Sequence, residues 1–239
     1  MKQKPVKRCY LCGVQIRKYK LVPGEEPPPD HQTRDHIPPE KFFPQPLPLN
    51  LLTVPCCTRC NNGFSHLDEQ MRVFFAAEEH ANDAAKLIAS QKIFTENSVK
   101  GKQFRTVASS LKTFPVKIGN TITLGNTLSV STVDLFRFVE RIIRGLVHKF
   151  YPDLRDPKAA VCVECISTVA FKDAKNAVKT DEIMDKLCEL APQMQRTCFG
   201  DGVLDFLHGR ADAGACFIIS FYRGATFMAT YALKAPIPV

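Results

Sequence analysis

With 239 residues, 45% hydrophobic and 23% charged, the chain has an ordinary globular composition, long enough for one large or two small domains. Its longest apolar runs, near Ala213 to Ser220, are too short to span a bilayer. Its basic start, MKQKPVKRCYLCG, has neither the apolar centre of a secretory signal nor a lipid-anchor motif, so a cytoplasmic location is expected. The formal charge is +8, and Lys2, Lys4, Lys7, Arg8, Arg17, Lys18 and Lys20 all precede the first acid, Glu25. Such a patch suits a polyanion, whose phosphates release counterions when neutralised; the competing reading is a solvated basic tail. Ten cysteines without a secretory signal point to metal where they fall in Cys-x-x-Cys pairs.

In chain order, Cys9-x-x-Cys12 comes first. The stretch from Pro5 to Pro55 is proline-rich, and Pro27, Pro28, Pro29, Pro38, Pro39, Pro44, Pro46 and Pro48 exclude long helices. SHLDEQMRVFFAAEEHANDAAKLIASQKIF then contains no Gly or Pro, and it sets Met71, Phe74, Phe75 and Leu87 at helical spacing. Ser65 is the expected cap, with a start one turn earlier, at Cys60 or Asn61, as the alternative. FRTVASSLKTFPVKIGNTITLGNTLSVS alternates as strands do, with hairpin turns expected at Gly119-Asn120 and Gly125-Asn126. STVDLFRFVERIIRGLVHKFYPD reads as an amphipathic helix that buries Phe136, Val139, Ile142, Ile143, Leu146 and Phe150 and stops at Pro152. A strand over AAVCVECISTVAF, a helix over TDEIMDKLCELAPQMQRT and a closing hairpin over GACFIISFYRGATFMATYAL, turning at Arg223-Gly224, complete the chain. The fold class is α+β. A compact metal-bound domain is expected over 1–80, and a second α+β domain over 81–239 for substrate positioning, dimerisation or partner binding.

Cys9-x-x-Cys12 and Cys57-x-x-Cys60 present four thiolates, the soft tetrahedral set that structural zinc takes. Cys56 competes, but Cys56 with Cys60 lacks the knuckle spacing. Between the pairs lies Thr33-Arg34-Asp35-His36-Ile37-Pro38-Pro39, followed by Asn50. Phosphodiester hydrolysis needs a base for the attacking water and a cation for the phosphate charge. Imidazole is largely neutral near pH 7, which suits His36 to the base. Asp35 is a hard oxygen donor, although strand neighbours point to opposite faces. Asn61 offers an amide oxygen at a helix start. Such donors suit Mg²⁺ or Mn²⁺. Arg34 and Arg59 flank the motif and are candidates to hold phosphate, although an Arg beside zinc thiolates commonly offsets their charge. Asn50 also reads as a turn residue, His66 as a surface residue and His31 as exposed. Cys162-x-x-Cys165 reads as buried structural cysteine, and Arg137, Arg141 and Arg144 as a solvated helix face, with an extension of the nucleic-acid track as the alternative.

From Cys9 to Glu69, the order of an Asp-His pair, an Asn and an Asn after a Cys-x-x-Cys, inside a four-cysteine frame, resembles the HNH (ββα-metal) nuclease family. The resemblance implies a ββα-metal domain with structural Zn²⁺ at Cys9, Cys12, Cys57 and Cys60. It implies His36 as general base, Asn50 as the residue that holds the loop orienting it, and Asp35 and Asn61 as ligands of a catalytic Mg²⁺ or Mn²⁺. The implied activity is cleavage of nucleic acid, double-stranded DNA foremost, in settings such as phage biology, homing, restriction or anti-phage defence. Two other readings stand beside it: a zinc-knuckle nucleic-acid-binding module without catalysis, and an effector subunit of a multiprotein complex.

Overall fold

The computed structural model of the chain describes residues 6–78, 81–93, 111–118, 121–128, 130–166, 192–211 and 213–233. Strands β1 (Gln32–His36) and β2 (Thr53–Cys57) pair antiparallel, with Gln32 opposite Cys57 and His36 opposite Thr53. The period of two puts Gln32, Arg34 and His36 on one face and Thr33 and Asp35 on the other. Accordingly Arg34 is exposed, whereas Asp35 is only 3% exposed.

Helix α1 (Thr58–Gly63) starts directly from β2, about two turns before a Ser65 cap and ahead of the alternative start at Cys60 or Asn61. Its cap is Cys57, whose sulfur accepts the Cys60 N–H at 3.4 Å. The Cys-x-x-Cys turn is therefore itself the first helical turn. Helix α2 (Ser65–Ala76) follows, with Phe64 at its cap position and no side-chain cap bond. The single helix expected as far as Phe94 is instead interrupted. Helix α3 (Asp83–Ile88) begins at Asn82 and continues as a π-helical turn, Ala89–Ile93. Asn82 Oδ1 accepts the Ala85 N–H at 3.2 Å, and its amide donates to the carbonyls of Asp201 and Gly202. A side chain that caps a new helix and ties down a distant turn outweighs mere absence of Gly and Pro.

Strands β3 (Leu111–Ile118) and β4 (Thr121–Leu128) pair antiparallel so that Ile118 is opposite Thr121; the turn expected at Gly119-Asn120 lies outside the described residues. The turn expected at Gly125-Asn126 is not one: these residues lie within β4, opposite Phe114 and Thr113. Gly-Asn permits a turn, but continued pairing satisfies more backbone groups. Residues 104–110 of this expectation lie outside the described residues. Helix α4 (Thr132–Phe150) forms as its pattern predicts, with Ser131 accepting the Asp134 N–H. It buries Phe138, Val139, Ile142, Ile143 and Leu146, while Phe136 and Phe150 are partly buried. No helix among the described residues is long and apolar enough to cross a membrane.

Strands β5 (Ala160–Cys165), β6 (Gln195–Phe199), β7 (Leu204–Ala211), β8 (Gly214–Phe221) and β9 (Ala225–Ala232) form one antiparallel sheet in the order β5-β9-β8-β7-β6. The closing hairpin turns as expected, with positive φ at Tyr222 and Arg223. The end of the helix expected over residues 180–197 is corrected: Gln195–Thr197 are strand, fastened to β7 by Arg196, whose Nη2 is 2.7 Å from Asp205 Oδ2. Residues 180–191 lie outside the described residues. Strand β7, missed in the sequence, has its first six residues buried, so it lacks the alternation that marks a half-exposed strand.

The core is aromatic. Phe42 stacks on Phe138 and Tyr222, and Phe75 stacks on Phe221 at 4.5 Å. Each such ring, once buried, stabilises the fold by roughly 1.5–3 kcal/mol. One continuous cluster of buried residues runs from Cys9 through Val54, Met71 and Phe138 to Tyr231. It passes residue 80, where the division into 1–80 and 81–239 was expected, without a break.

Candidate metal centre and hairpin face

The ligand sulfurs of Cys9, Cys12, Cys57 and Cys60 all lie within 4.8 Å of one another. Zn–S bonds of about 2.3 Å in a tetrahedron separate sulfurs by roughly 3.8 Å, and Cys12 Sγ stands 3.8 Å from Cys57 Sγ. The group can hold a structural metal such as zinc. Gly13, with φ 71°, turns the chain after the first knuckle, a conformation L side chains rarely adopt. Cys56 Sγ is also close, 3.8 Å from Cys9 Sγ. Strand alternation directs it to the opposite face from Cys57, and it is fully buried. Hydrogen bonds from Cys56 and Cys60 push the Cys9 thiol far below its ordinary pKa, while the bond to Cys9 pushes Cys56 and Cys60 up. Arg59 is exposed and hydrogen-bonded to Cys12, which raises its pKa. It lies against the Cys12 sulfur.

Asp35 faces inward. Arg141 donates from Nη2 to Asp35 Oδ1 at 2.5 Å and from Nε to Oδ2 at 3.1 Å, and the Tyr10 hydroxyl donates to Oδ2 at 2.5 Å. Arg141 Nη1 also donates to Asp68 Oδ1. The guanidinium lies over the Phe64 ring, 4.7 Å from its centroid. Burial alone would lower the Arg141 pKa, but Tyr10, Asp35 and Asp68 hold it above the usual guanidinium range. Burial pushes Asp68 up to about 6 despite Arg141, and burial with the Asp35 charge pushes Tyr10 well up. The expectation that Arg141 belongs to a solvated face is thus corrected, since its side chain is 1% exposed. It lies three residues after Phe138 and four before Gly145, on the face α4 buries. Arg137 is exposed, and Arg144 is paired with Glu140 and the Ala159 carbonyl.

The donors expected for a second, catalytic ion do not fit one in this arrangement. Both Asp35 oxygens are engaged, and among the described residues the four cysteines are the only group of three or more His, Cys, Asp or Glu whose ligand atoms converge. His36 stands on the outer face, its side chain 30% exposed, with Nδ1 3.9 Å from Glu40 Oε2. Asn50 is exposed ahead of β2, Asn61 is half-buried on α1, and His66 is exposed. His31 is half-buried, and its Nδ1 accepts the Tyr19 N–H. Cys162 and Cys165 are exposed, not buried as expected, because β5 is an edge strand.

The outer face of the hairpin borders a cleft of about 930 Å³. Gln32, Arg34, Thr53 and Pro55 form one wall, the first knuckle another, and the end of α4 with the segment Arg155–Pro157 the third. His148 also lines the cleft, pushed down to about 4 by burial and then by the Arg155 charge. Tyr10, Asp68 and Arg141 are the residues sequence reasoning missed. The available signal was a cation at helical spacing within an apolar face, which requires a buried anion as partner. Compared with protein-family models, curated proteins and solved structures, the chain shows no significant match.

Proposed function

We propose that the chain is a zinc-stapled, HNH-like endonuclease that hydrolyses phosphodiester bonds in DNA, with His36 as the general base. The observation that carries this reading is the position of His36. The four-cysteine group can tie the first knuckle to the start of α1, and His36 stands partly exposed on the face of the attached hairpin, directly opposite Thr53, which lines a cationic cleft. An imidazole there can take the proton from an attacking water, while nearby cations offset the phosphate charge. Asp35 acts as a positioning residue, since its bonds to Arg141 and Tyr10 fix the inner face of β1 behind His36. Asn50 and Asn61 remain the loop-holding and helix-start amides of this reading. A Mg²⁺ or Mn²⁺ requirement belongs to its test, and no step is assigned to such an ion.

A second reading, a nucleic-acid-binding module without catalysis, is favoured by the engagement of both Asp35 oxygens. Incubation with plasmid, single-stranded DNA and RNA, with Mg²⁺ or Mn²⁺ added, separates the two. The nuclease reading expects cleavage that falls at least a hundredfold in His36→Ala, the scale of a lost general base. Binding without cleavage, or cleavage that His36→Ala leaves intact, overturns it.

A further inference from the structure

We propose that the cleft between the hairpin and the end of α4 is a binding track for the backbone of a single nucleic-acid strand, leading to His36. The proposal rests on the nucleic-acid substrate of the preceding section and names the form in which it is held. The first ground is charge. Six cationic side chains, Lys7, Arg8, Lys18, Arg34, Arg144 and Arg155, line the cleft, against one carboxylate, Asp156. They come from three separate segments of the chain, so the concentration is a product of the fold. Arg144 is committed to Glu140 and to backbone carbonyls. Lys7, Lys18, Arg34 and Arg155 are exposed. With His148 neutral at pH 7, the fixed charge comes from Lys and Arg alone, the groups that bind phosphate throughout the physiological range.

The second ground is size and lining. A volume of about 930 Å³ lies at the upper end of small-ligand pockets, roughly 300–1,000 Å³. A space of that size matches a short stretch of one strand. Val6, Pro55 and Pro157 give the cleft accessible apolar surface between the cations, on which the apolar faces of unpaired bases can rest. The third ground is direction. Thr53 lines the cleft and pairs with His36, and residues directly opposite on antiparallel strands project to the same side. A strand lying along Arg34 toward Thr53 is thereby carried to the imidazole.

Fluorescence anisotropy with His36→Ala protein tests this, using single-stranded and duplex DNA of matched length without added divalent ion. The expected result is at least tenfold tighter binding of the single strand. Arg34→Ala and Lys18→Ala should each weaken it about tenfold and make the slope of log K against log salt shallower by roughly 0.7 per lost phosphate contact. Lys86→Ala, on α3 outside the cleft, should match the parent, and thermal melting should show all variants folded. Equal or tighter duplex binding, or unchanged single-strand binding in both cleft variants, overturns the proposal. So does displacement by inorganic phosphate at concentrations comparable to the oligonucleotide, which would make the cleft an anion pocket. If single strands bind through Arg34 and Lys18 but the wild-type protein never cleaves, the nuclease reading fails and the track stands. If cleavage depends on His36 but not on these cations, the reverse holds.

Discussion

At the residue scale, the buried group of Tyr10, Asp35, Asp68 and Arg141 has the clearest consequence. Removing one partner of a buried ion pair leaves an uncompensated charge and costs about 3–5 kcal/mol. Arg141→Ala should therefore lower stability by that order in urea or thermal unfolding. Arg141→Lys should recover only part, because an ammonium cannot reach Asp35 in two places and Asp68 in a third. A midpoint near that of wild type for Arg141→Ala would remove the group from any structural role. His208 carries a pH prediction. It lies between Phe150, Phe206 and Phe217, with Tyr151 Oη 2.8 Å from its Nδ1, and burial pushes its pKa below the ordinary value. The folded state then binds fewer protons than the unfolded chain, whose imidazole titrates near about 6.5. The stability from a neutral His208 is complete above that value and is lost as pH falls below it. The urea midpoint should drop between pH 7.5 and 5.5 by more in wild type than in His208→Gln; equal drops would contradict the assignment.

At the element scale, the knuckles and α4 decide how the hairpin is held. Cys57 ends β2, caps α1 and joins the sulfur group, so one residue couples strand, helix and the group that can hold a metal. Protein purified without added metal should contain about one zinc per chain, as a closed thiolate site retains its ion. Cys9→Ser or Cys60→Ser should lose it together with cooperative unfolding. Full zinc content in a Cys9/Cys12 double variant, read by elemental analysis, would rule out this ligand set. Gly145 allows α4 to approach the segment after β1, because a Cβ there would meet Ile37 Cδ1 and Cγ1 at 2.6 Å. In a free helix Gly→Ala gains about 1 kcal/mol. Here overpacking against a buried Ile should outweigh that gain, by a net 1–2 kcal/mol or so. A raised melting temperature for Gly145→Ala would show that Ile37 yields freely.

At the scale of the whole molecule, the continuous core predicts cooperative behaviour. Arg141 of α4 completes a cluster begun by Tyr10 and Asp35, and Tyr222 Oη donates to the Phe42 carbonyl at 2.7 Å. A fragment of residues 1–80 would retain all four sulfurs but lose the cation that pairs Asp35 and the rings that cover Phe42 and Phe75. With zinc supplied, it should bind the ion at its knuckles without a sharp thermal transition. The full chain should unfold in a single transition, whether followed by far-UV circular dichroism or by tyrosine fluorescence. A cooperatively folding fragment with native-like chemical-shift dispersion would establish the N-terminal part as an independent domain.

Local patterns settled much of this protein in advance. Knuckle spacing identified the four sulfurs because two residues of separation is a local geometric requirement for sharing an ion. The period of 3.6 located α4, and a breaker pair located the closing hairpin, because both depend on neighbours in the chain. Alternation even indicated that Asp35 and His36 would face opposite ways. What lay beyond reach depended on groups far apart in sequence. Asp35 reads equally well as a metal ligand or as the partner of a cation, and only the docking of α4 across β2 brings Arg141 to it. Asn82 reads as one more helical residue until the turn at Asp201 and Gly202 reaches its amide. The cationic cleft exists because the basic N-terminal segment, the hairpin and the end of α4 with Arg155 converge in one place. Long-range contacts of this kind are fixed by how surfaces pack, and no spacing along the chain encodes them.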